Sequence, residues 1–234
     1  MSSHNAALWE HFQNEQRELF VGAEPRLNHL LRLASSYRPN IAMSESSLLN
    51  IGCGNGYMEI TAKKKGWCVI SVDPDEKAMK ELQNAGIDAR SGYIESLPVE
   101  SRTISVVIAT EVFEHLSADV LAAGFREIHR VLRDGGILLG TVPYRETLQE
   151  NTVFCPECKK SFHRWGHQQS FDLPTMRSLL AAHFQVAALR VRFFPPWPQL
   201  NWKGMLASLP KFFLSRIGIH GSGENLVFMA RKEG

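Results

Sequence analysis

The chain has few cysteines, no long apolar run and no excess of charge of either sign, and each shortage removes a class of protein. Four cysteines in 234 residues are too few for a disulfide framework, and Cys53 and Cys68 stand isolated. No segment reaches the ~18 apolar residues that a membrane-spanning helix needs. The opening stretch MSSHNAALWEHFQNEQRELF is polar and amphipathic, without the apolar run of a secretion signal. Together with the sparse cysteines it leads us to expect a cytoplasmic location. Lys and Arg total 26 against 24 Asp and Glu, so the basic excess of a dedicated nucleic-acid binder is missing. Internal repeats and low-complexity tracts are missing too.

What is there reads as one α/β domain with decoration. From Leu48, short apolar runs rich in β-branched residues alternate with longer amphipathic stretches, as parallel strands joined by crossover helices do. Runs 48–52, 67–72, 103–110 and 136–143 predict strands; 57–66, 75–86 and 117–136 predict helices. The order β-α-β-α-β predicts a doubly wound sheet. Residues 1–47 read as a helical lid of two helices, the second over 23–37, before a core at 48–143. An insertion at 144–170 follows. The C-terminal part, 171–234, predicts a helix at 172–184 and strands at 185–194 and 224–232, with an apolar insertion at 195–222 between those strands.

The run LLNIGCGNGYME places Gly52-x-Gly54-x-Gly56 between a buried strand and a helix start, where a backbone free of Cβ atoms can turn sharply and touch a ligand. Dinucleotide sites want G-x-G-x-x-G, and Tyr57 stands where that third glycine would fall. About twenty residues on, VISVDPD puts Asp73 at the carboxyl edge of the sheet, where a carboxylate can accept both hydroxyls of a ribose. Alone, Asp73 reads equally well as a helix N-cap.

In order, LLNIGCGNG, VISVDPDEKAM, GYIESLPVESRTISVVIATEVFEHL and EIHRVLRDGGILLGTVPY resemble the successive motifs of class I S-adenosylmethionine-dependent methyltransferases, over roughly residues 45–145. The resemblance implies a Rossmann-like seven-stranded sheet whose last strand, 224–232, is antiparallel. It implies that Gly52, Cys53, Gly54 and Gly56 cradle the methionine end of S-adenosylmethionine, that Asp73 binds the ribose, and that Tyr93, Ile94 and Glu95 flank the adenine. Pro74 and Thr110 complete that set. Three positions depart from the pattern: Asn50 replaces the usual acid before the glycines, Tyr93 an adenine-binding Asp, and Ser105 the Asp of the fourth strand.

TEVFEHL begins at the carboxyl edge of that strand. Methyl transfer is an in-line displacement, so the protein must align a nucleophile and, for a hydroxyl, remove a proton. His115 is the natural base. On a helix Glu111 would share a face with Glu114 and His115; alternatively, Glu114 and His115 brace the strand-to-helix junction. The run EVFEH is also similar to the Glu-x-x-Glu-His metal motif of small-RNA 2′-O-methyltransferases and ubiquinone-pathway O-methyltransferases, which implies Mg²⁺ or Mn²⁺ at the acceptor, although relatives with EHL need no metal.

In CPECKKSFHRWGH, Cys155, Cys158, His163 and His167 form C-x2-C-x4-H-x3-H, a spacing that can surround a structural Zn²⁺. The x4 gap is too short for a recognition helix, so the expectation is a clasp that ties a loop over the substrate mouth, away from the methyl-transfer centre. The cysteines read otherwise as an unliganded surface pair, or His167 as an active-site residue. The segment resembles one in bacterial methyltransferases where C-P-x-C and F-H-x-x-x-H follow the fifth strand.

The expected function is methylation, by O- more than N-transfer, of a small-molecule or glycan acceptor. An RNA-directed enzyme gripping through Lys159, Lys160, Arg164 and Trp165, and a non-catalytic cofactor-binding scaffold, are the alternatives. In 195–222, Met205, Leu206, Leu209, Phe212, Phe213 and Ile217 fall near one helical face with Lys203, Lys211 and Arg216 at its margins. The stripe reads as packed core, acceptor lid or peripheral membrane contact, and Pro210 predicts a helix broken in two.

Overall fold

A computed structural model describes residues 17–37 and 46–234. Most of the first expected N-terminal helix lies outside the described residues; the second is α1 (Glu24–Tyr37), preceded by a 3₁₀ segment, Arg17–Ala23. The strands among the described residues are β1 (Ser47–Ile51), β2 (Cys68–Asp73), β3 (Asp88–Ser91), β4 (Ile104–Thr110), β5 (Leu132–Pro143), β6 (Thr152–Phe154), β7 (Ser161–His163), β8 (Gln185–Arg192) and β9 (Asn225–Arg231). Seven of these form one sheet in the order β3-β2-β1-β4-β5-β9-β8, and β6 and β7 form a separate hairpin. The final strand β9 runs antiparallel to both neighbours. This is the Rossmann-like sheet expected, in which β2 and β3 are added on one side of β1 and β4 and β5, parallel to it, on the other.

Side-chain alternation along the strands builds the two cores. Leu48, Val106 and Ile137 lie in register on one face, Leu49, Val107 and Leu138 on the other. The first set meets α1, α2 (Tyr57–Lys64) and α3 (Glu76–Asn84), with Leu30, Leu31, Met58 and Met79 buried between them. The second set meets α4 (Ala118–Val131) and α5 (Leu173–Ala181) through Phe125, Ile128, Met176 and Leu180. In α1 the buried Leu27, Leu30, Leu31 and Ala34 repeat at helical spacing, which is why the helix docks along its length. The strand centre needs Gly140: a Cβ there would sit 2.0 Å from the Ala109 carbonyl oxygen and 2.4 Å from the Phe228 ring.

Local chemistry moves several boundaries. Ser117 caps α4 through Val120 N–H, but the helix stops at Val131, five residues before the expected end. Leu132 already pairs with Ile104, and the register then jumps to Val106 opposite Ile137. Gly135, with φ of 74°, absorbs that irregularity as a bulge would. The short strand β3, Asp-Ala-Arg-Ser, carries no apolar run to announce it; it is the edge of the sheet, where polar side chains are tolerated. The last helix, α6 (Trp202–Arg216), runs unbroken through Pro210, contrary to the expected break. Proline deprives the Leu206 carbonyl of its donor, and residues 205–207 and 209–210 are exposed, so water can serve it. Among the described residues, no helix is long and apolar enough to cross a membrane.

Candidate active site

The carboxyl edge of the sheet opens into a cleft of about 1080 Å³, where open α/β sheets place their ligands. Its floor is the turn after β1. Gly52, Gly54 and Gly56 have φ of 84°, 53° and 79°, values that side chains resist. Gly52, Cys53 and Gly54 face the cleft together with Asp73, Pro74, Tyr93, Ile94, Glu95 and Thr110. Gly56 does not: it starts α2, and a Cβ there would meet Leu82 of α3 at 2.9 Å. Its role is close helix packing.

Asp73 is buried at the end of β2 and holds the turn closed. Its Oδ2 accepts from Cys53 N–H and its Oδ1 from Asp75 N–H, both at 2.9 Å. The carboxylate so held lines the cleft. The N-cap of α3 is Asp75, which accepts from Lys77 and Ala78, so the capping reading of Asp73 falls to its neighbour. Asn50 donates to Gly52 O at 3.0 Å and to Glu59 Oε1 at 2.8 Å. Glu59 lies buried behind Asn50 and also accepts from Ser71, while Asn50 itself lines the cleft. Burial raises Glu59 above the usual carboxylate range, the Ser71 and Asn50 hydrogen bonds offsetting part of the shift. Ser105 contacts Ser47 at the opposite end of β4 and plays no part in the cleft.

The opposite wall carries the acidic and histidine residues, arranged otherwise than expected. Glu111 is not on a helix with its partners. It occupies the left-handed region at φ of 54°, with its N–H on Thr141 O and its Oε1 accepting from Thr141 at 2.9 Å and Asn225 at 3.0 Å. Arg26 of α1 lies 3.7 Å from its other oxygen. A strained residue fixed from three elements is typical of sites that hold geometry for a ligand. Glu114 and His115 follow on a single 3₁₀ turn, Phe113–His115. Glu114 is fully buried, and neither of its oxygens has a hydrogen-bond partner among the described residues. Burial and the Glu111 carboxylate push it well above the usual carboxylate range. His115, on the cleft wall, is pushed down to about 3 by burial and by His167 and His163.

The insertion completes this wall with histidines and leaves its cysteines outside. Gln168 N–H and Gln169 N–H donate to Glu114 O, and the two amide side chains donate to the carbonyls of His115 and Leu116. That strap brings the His167 ring 4.6 Å from the His115 ring. Ligand atoms of Glu114, His115 and His167 lie within 4.8 Å of one another.

The expected four-ligand zinc clasp of Cys155, Cys158, His163 and His167 is not assembled. Cys155 and Cys158 are at the tip of the β6–β7 hairpin, with Cys155 N–H on Lys160 O, while His163 pairs with Thr152 at its base. Three strand steps at ~3.3 Å each put about 10 Å between them. Hydrogen bonding also disqualifies His163 as a ligand: its Nδ1 accepts from His167 N–H at 3.1 Å and Trp165 N–H at 3.3 Å, so the proton is on Nε2, facing Glu146 at 3.4 Å. Glu146 also bonds His167 Nδ1. Burial opposes ionisation of Glu146, but the hydrogen bonds from His167 and Asn151 prevail and hold it below the usual range. A carboxylate accepts, so His167 carries its proton on Nδ1 and turns the Nε2 lone pair free. Glu146 therefore braces two imidazoles, and its ligand atoms and theirs lie within 4.8 Å of one another. Of these partners, Glu146, Arg26, Thr141, Asn225 and Gln168 were missed in the sequence. Thr141 lies in the quoted run EIHRVLRDGGILLGTVPY without being singled out there, and for Glu146 and Gln168 the only signal was the number of polar residues in 144–170.

The family described as a methyltransferase domain matches residues 49–140. The chain is 32% identical over 144 residues to a ubiquinone biosynthesis O-methyltransferase of Parvibaculum lavamentivorans, covering 57% of this chain and 56% of that one. It is 34% identical over 96 residues to a ribosomal protein L11 methyltransferase of Nitratiruptor, covering 39% and 32%. The chain thus spans little more than half, or less, of these curated relatives. Among solved structures, the 1,6-didemethyltoxoflavin-N1-methyltransferase of Burkholderia thailandensis, with bound 1,6-didemethyltoxoflavin and S-adenosylhomocysteine, superposes with a TM-score of 0.68 at 18% identity, covering 100% of this chain and 91% of that one. Residues 49–140, which carry the glycine turn and the central strands, are thus similar to a methyltransferase domain, and the solved neighbour shares the fold of the whole chain.

Proposed function

We propose that the protein is an S-adenosylmethionine-dependent methyltransferase that acts on a hydroxyl of a small-molecule or glycan acceptor. The cofactor fits the turn: Gly52 and Gly54 face the cleft where a Cβ would intrude, and the Asp73 carboxylate lines it at the end of β2, where ribose hydroxyls are bound in such sheets. When bound there, S-adenosylmethionine supplies an electrophilic methyl group. Cys53 and Asp73 hold the methionine and ribose ends, Ile94 and Tyr93 flank the base, and Phe20 and Arg26 line the side facing α1.

The observation that carries the choice of a hydroxyl is Glu114, a buried carboxyl beside two imidazoles with no donor among the described residues. An unpartnered buried carboxylate costs several kcal/mol on the order of, so Glu114 either keeps its proton or ligates a cation. His115 is held neutral, but at about 3 it is a poor proton acceptor near pH ~7. A neutral lone pair on each of His115 and His167 with one carboxylate is instead a donor set for a divalent cation such as Mn²⁺ or Zn²⁺. Such a cation supplies Lewis acidity that lowers the pKa of a bound hydroxyl. Glu146 fixes the His167 tautomer, and Glu111, held by Thr141, Asn225 and Arg26, faces the cleft beside them. The O-methyltransferase names of relatives at this identity support the same reading.

The test is a nuclease-treated lysate screened with methyl-labelled S-adenosylmethionine, with metal analysis of the purified protein. Label should enter small molecules or glycans in a divalent-dependent manner. Label confined to protein, or transfer unaffected by chelation in metal-free protein, would overturn the assignment of acceptor or of cation respectively.

A further inference from the structure

The last helix is amphipathic the wrong way round. Its face toward the protein is made of Gly204, Ser208, Phe212 and Ser215, with Ser215 alone fully buried, accepting from Phe193 N–H and donating to Phe212 O. Its outward face is Trp202, Met205, Leu206, Leu209, Phe213 and Ile217. Trp202 is 67% exposed, Leu206 58%, Phe213 60% and Ile217 73%. A helix that serves only its own domain turns such residues inward, and a contiguous apolar face of this kind marks an interaction site. The readings of this stripe as core packing fail on those exposures.

Charge identifies the occupant. From Leu173 to Gly223 there is no Asp or Glu, while Arg177, Arg190, Arg192, Lys203, Lys211 and Arg216 fall within the stretch, so the rest of this near-neutral chain is net acidic. Among the described residues, Arg190, Arg192, Lys203, Lys211 and Arg216 have no carboxylate within 4.0 Å. Arg192 is held below its ordinary value by burial and by Arg190 and Arg216, so cations of β8 and α6 crowd one another with nothing opposite to relieve them. Lys203, Lys211 and Arg216 lie over the rings of Trp202, Phe193 and Phe212. Aromatic and aliphatic side chains pointing out, ringed by unneutralised cations on long stems, match the chemistry of an interface with anionic headgroups above and acyl chains below.

We propose that the outward face of α6, with the arginines of edge strand β8, docks this protein on the surface of an anionic lipid bilayer. The helix lies in the interface plane and does not cross. The turn Trp197–Gln199 that leads into it packs on the Arg17–Ala23 segment, whose Phe20 and Ala23 line the cleft, so docking sets the cleft mouth near the membrane.

The full chain is sedimented with vesicles of phosphatidylglycerol and phosphatidylcholine, and with phosphatidylcholine alone, at low and high salt. Expected is at least tenfold stronger binding to the anionic vesicles, weakened by salt. Phe213→Asp with Ile217→Asp, and separately Lys203→Glu with Lys211→Glu and Arg216→Glu, should each reduce that binding at least tenfold. Phe213, Ile217, Lys203 and Arg216 are exposed and Lys211 is half-buried, so a melting temperature and cofactor affinity close to wild type show each variant to be folded, and Lys203→Glu with Arg216→Glu alone should still weaken binding. Wild type that stays in the supernatant, or a charge-reversed variant that pellets like wild type, overturns the proposal. So does a dimer in solution that Phe213→Asp dissociates, since a second copy would then own this face.

Discussion

The two walls of the cleft are built by opposite strategies. The cofactor wall comes from short continuous segments, the glycine turn with Asp73 at the tip of the next strand, closed by hydrogen bonds between residues about twenty apart. The acceptor wall is assembled from afar: Glu111 is held by Arg26, Thr141 and Asn225, and Glu114 and His115 are met by His167 only because Gln168 and Gln169 strap the insertion onto them. A wall made from one strand-turn-helix keeps its geometry wherever the fold forms. A wall that depends on an inserted loop can change its chemistry while the fold stays the same, which suits the side that chooses the acceptor.

The strongest way to break this comparison is to remove its acceptor wall alone. His167→Ala and Glu114→Gln should each lower methyl transfer at least ~100-fold, about 2.7 kcal/mol of transition-state stabilisation, with affinity for S-adenosylmethionine nearly unchanged. A double Cys155→Ser, Cys158→Ser variant should keep most of its transfer activity. Equal losses in all three, read with labelled cofactor, would restore the cysteines to the working site.

A sharper cut separates ligand from brace. Metal retention after dialysis should survive the cysteine variant, vanish in His167→Ala, and weaken ~10–100-fold in Glu146→Gln, the range for losing the carboxylate that orients a ligating imidazole. Retention that follows the cysteines instead would favour the clasp.

The smallest effect lies behind the cofactor wall. Burial raises Glu59, so its favourable contribution is complete below the unfolded value near ~4.3 and is lost as pH rises through the folded value. Glu59→Gln should therefore be more stable than wild type at pH 7, with the difference closing toward pH 4 in urea titrations. An equal difference at both pH values would mean that the carboxyl does not titrate as its burial requires.

The same contrast explains what was legible before the structure. The doubly wound alternation, the glycine turn and the place of Asp73 at the end of β2 rest on periodicity and backbone conformation, which neighbouring residues impose on one another. Gly56 sits in the glycine motif but outside the cleft lining, and nothing local shows that Leu82 lies 2.9 Å from where its Cβ would be. The C-x2-C-x4-H-x3-H spacing was misleading for a physical reason: a spacing assumes a compact turn, and here residues 152–163 form a hairpin that carries the cysteines away from the histidines. The helix through Pro210 was expected to break because its exposure to water was not visible in its sequence.

The most direct test of the central claim is a calorimetric titration of S-adenosylmethionine into wild type and Asp73→Ala. Expected is saturable binding by wild type at one site per chain and at least ~10-fold weaker binding by the variant, as loss of a charge-assisted hydrogen bond implies. No binding by wild type freed of copurified ligand, or equal affinity in the two proteins, would contradict it.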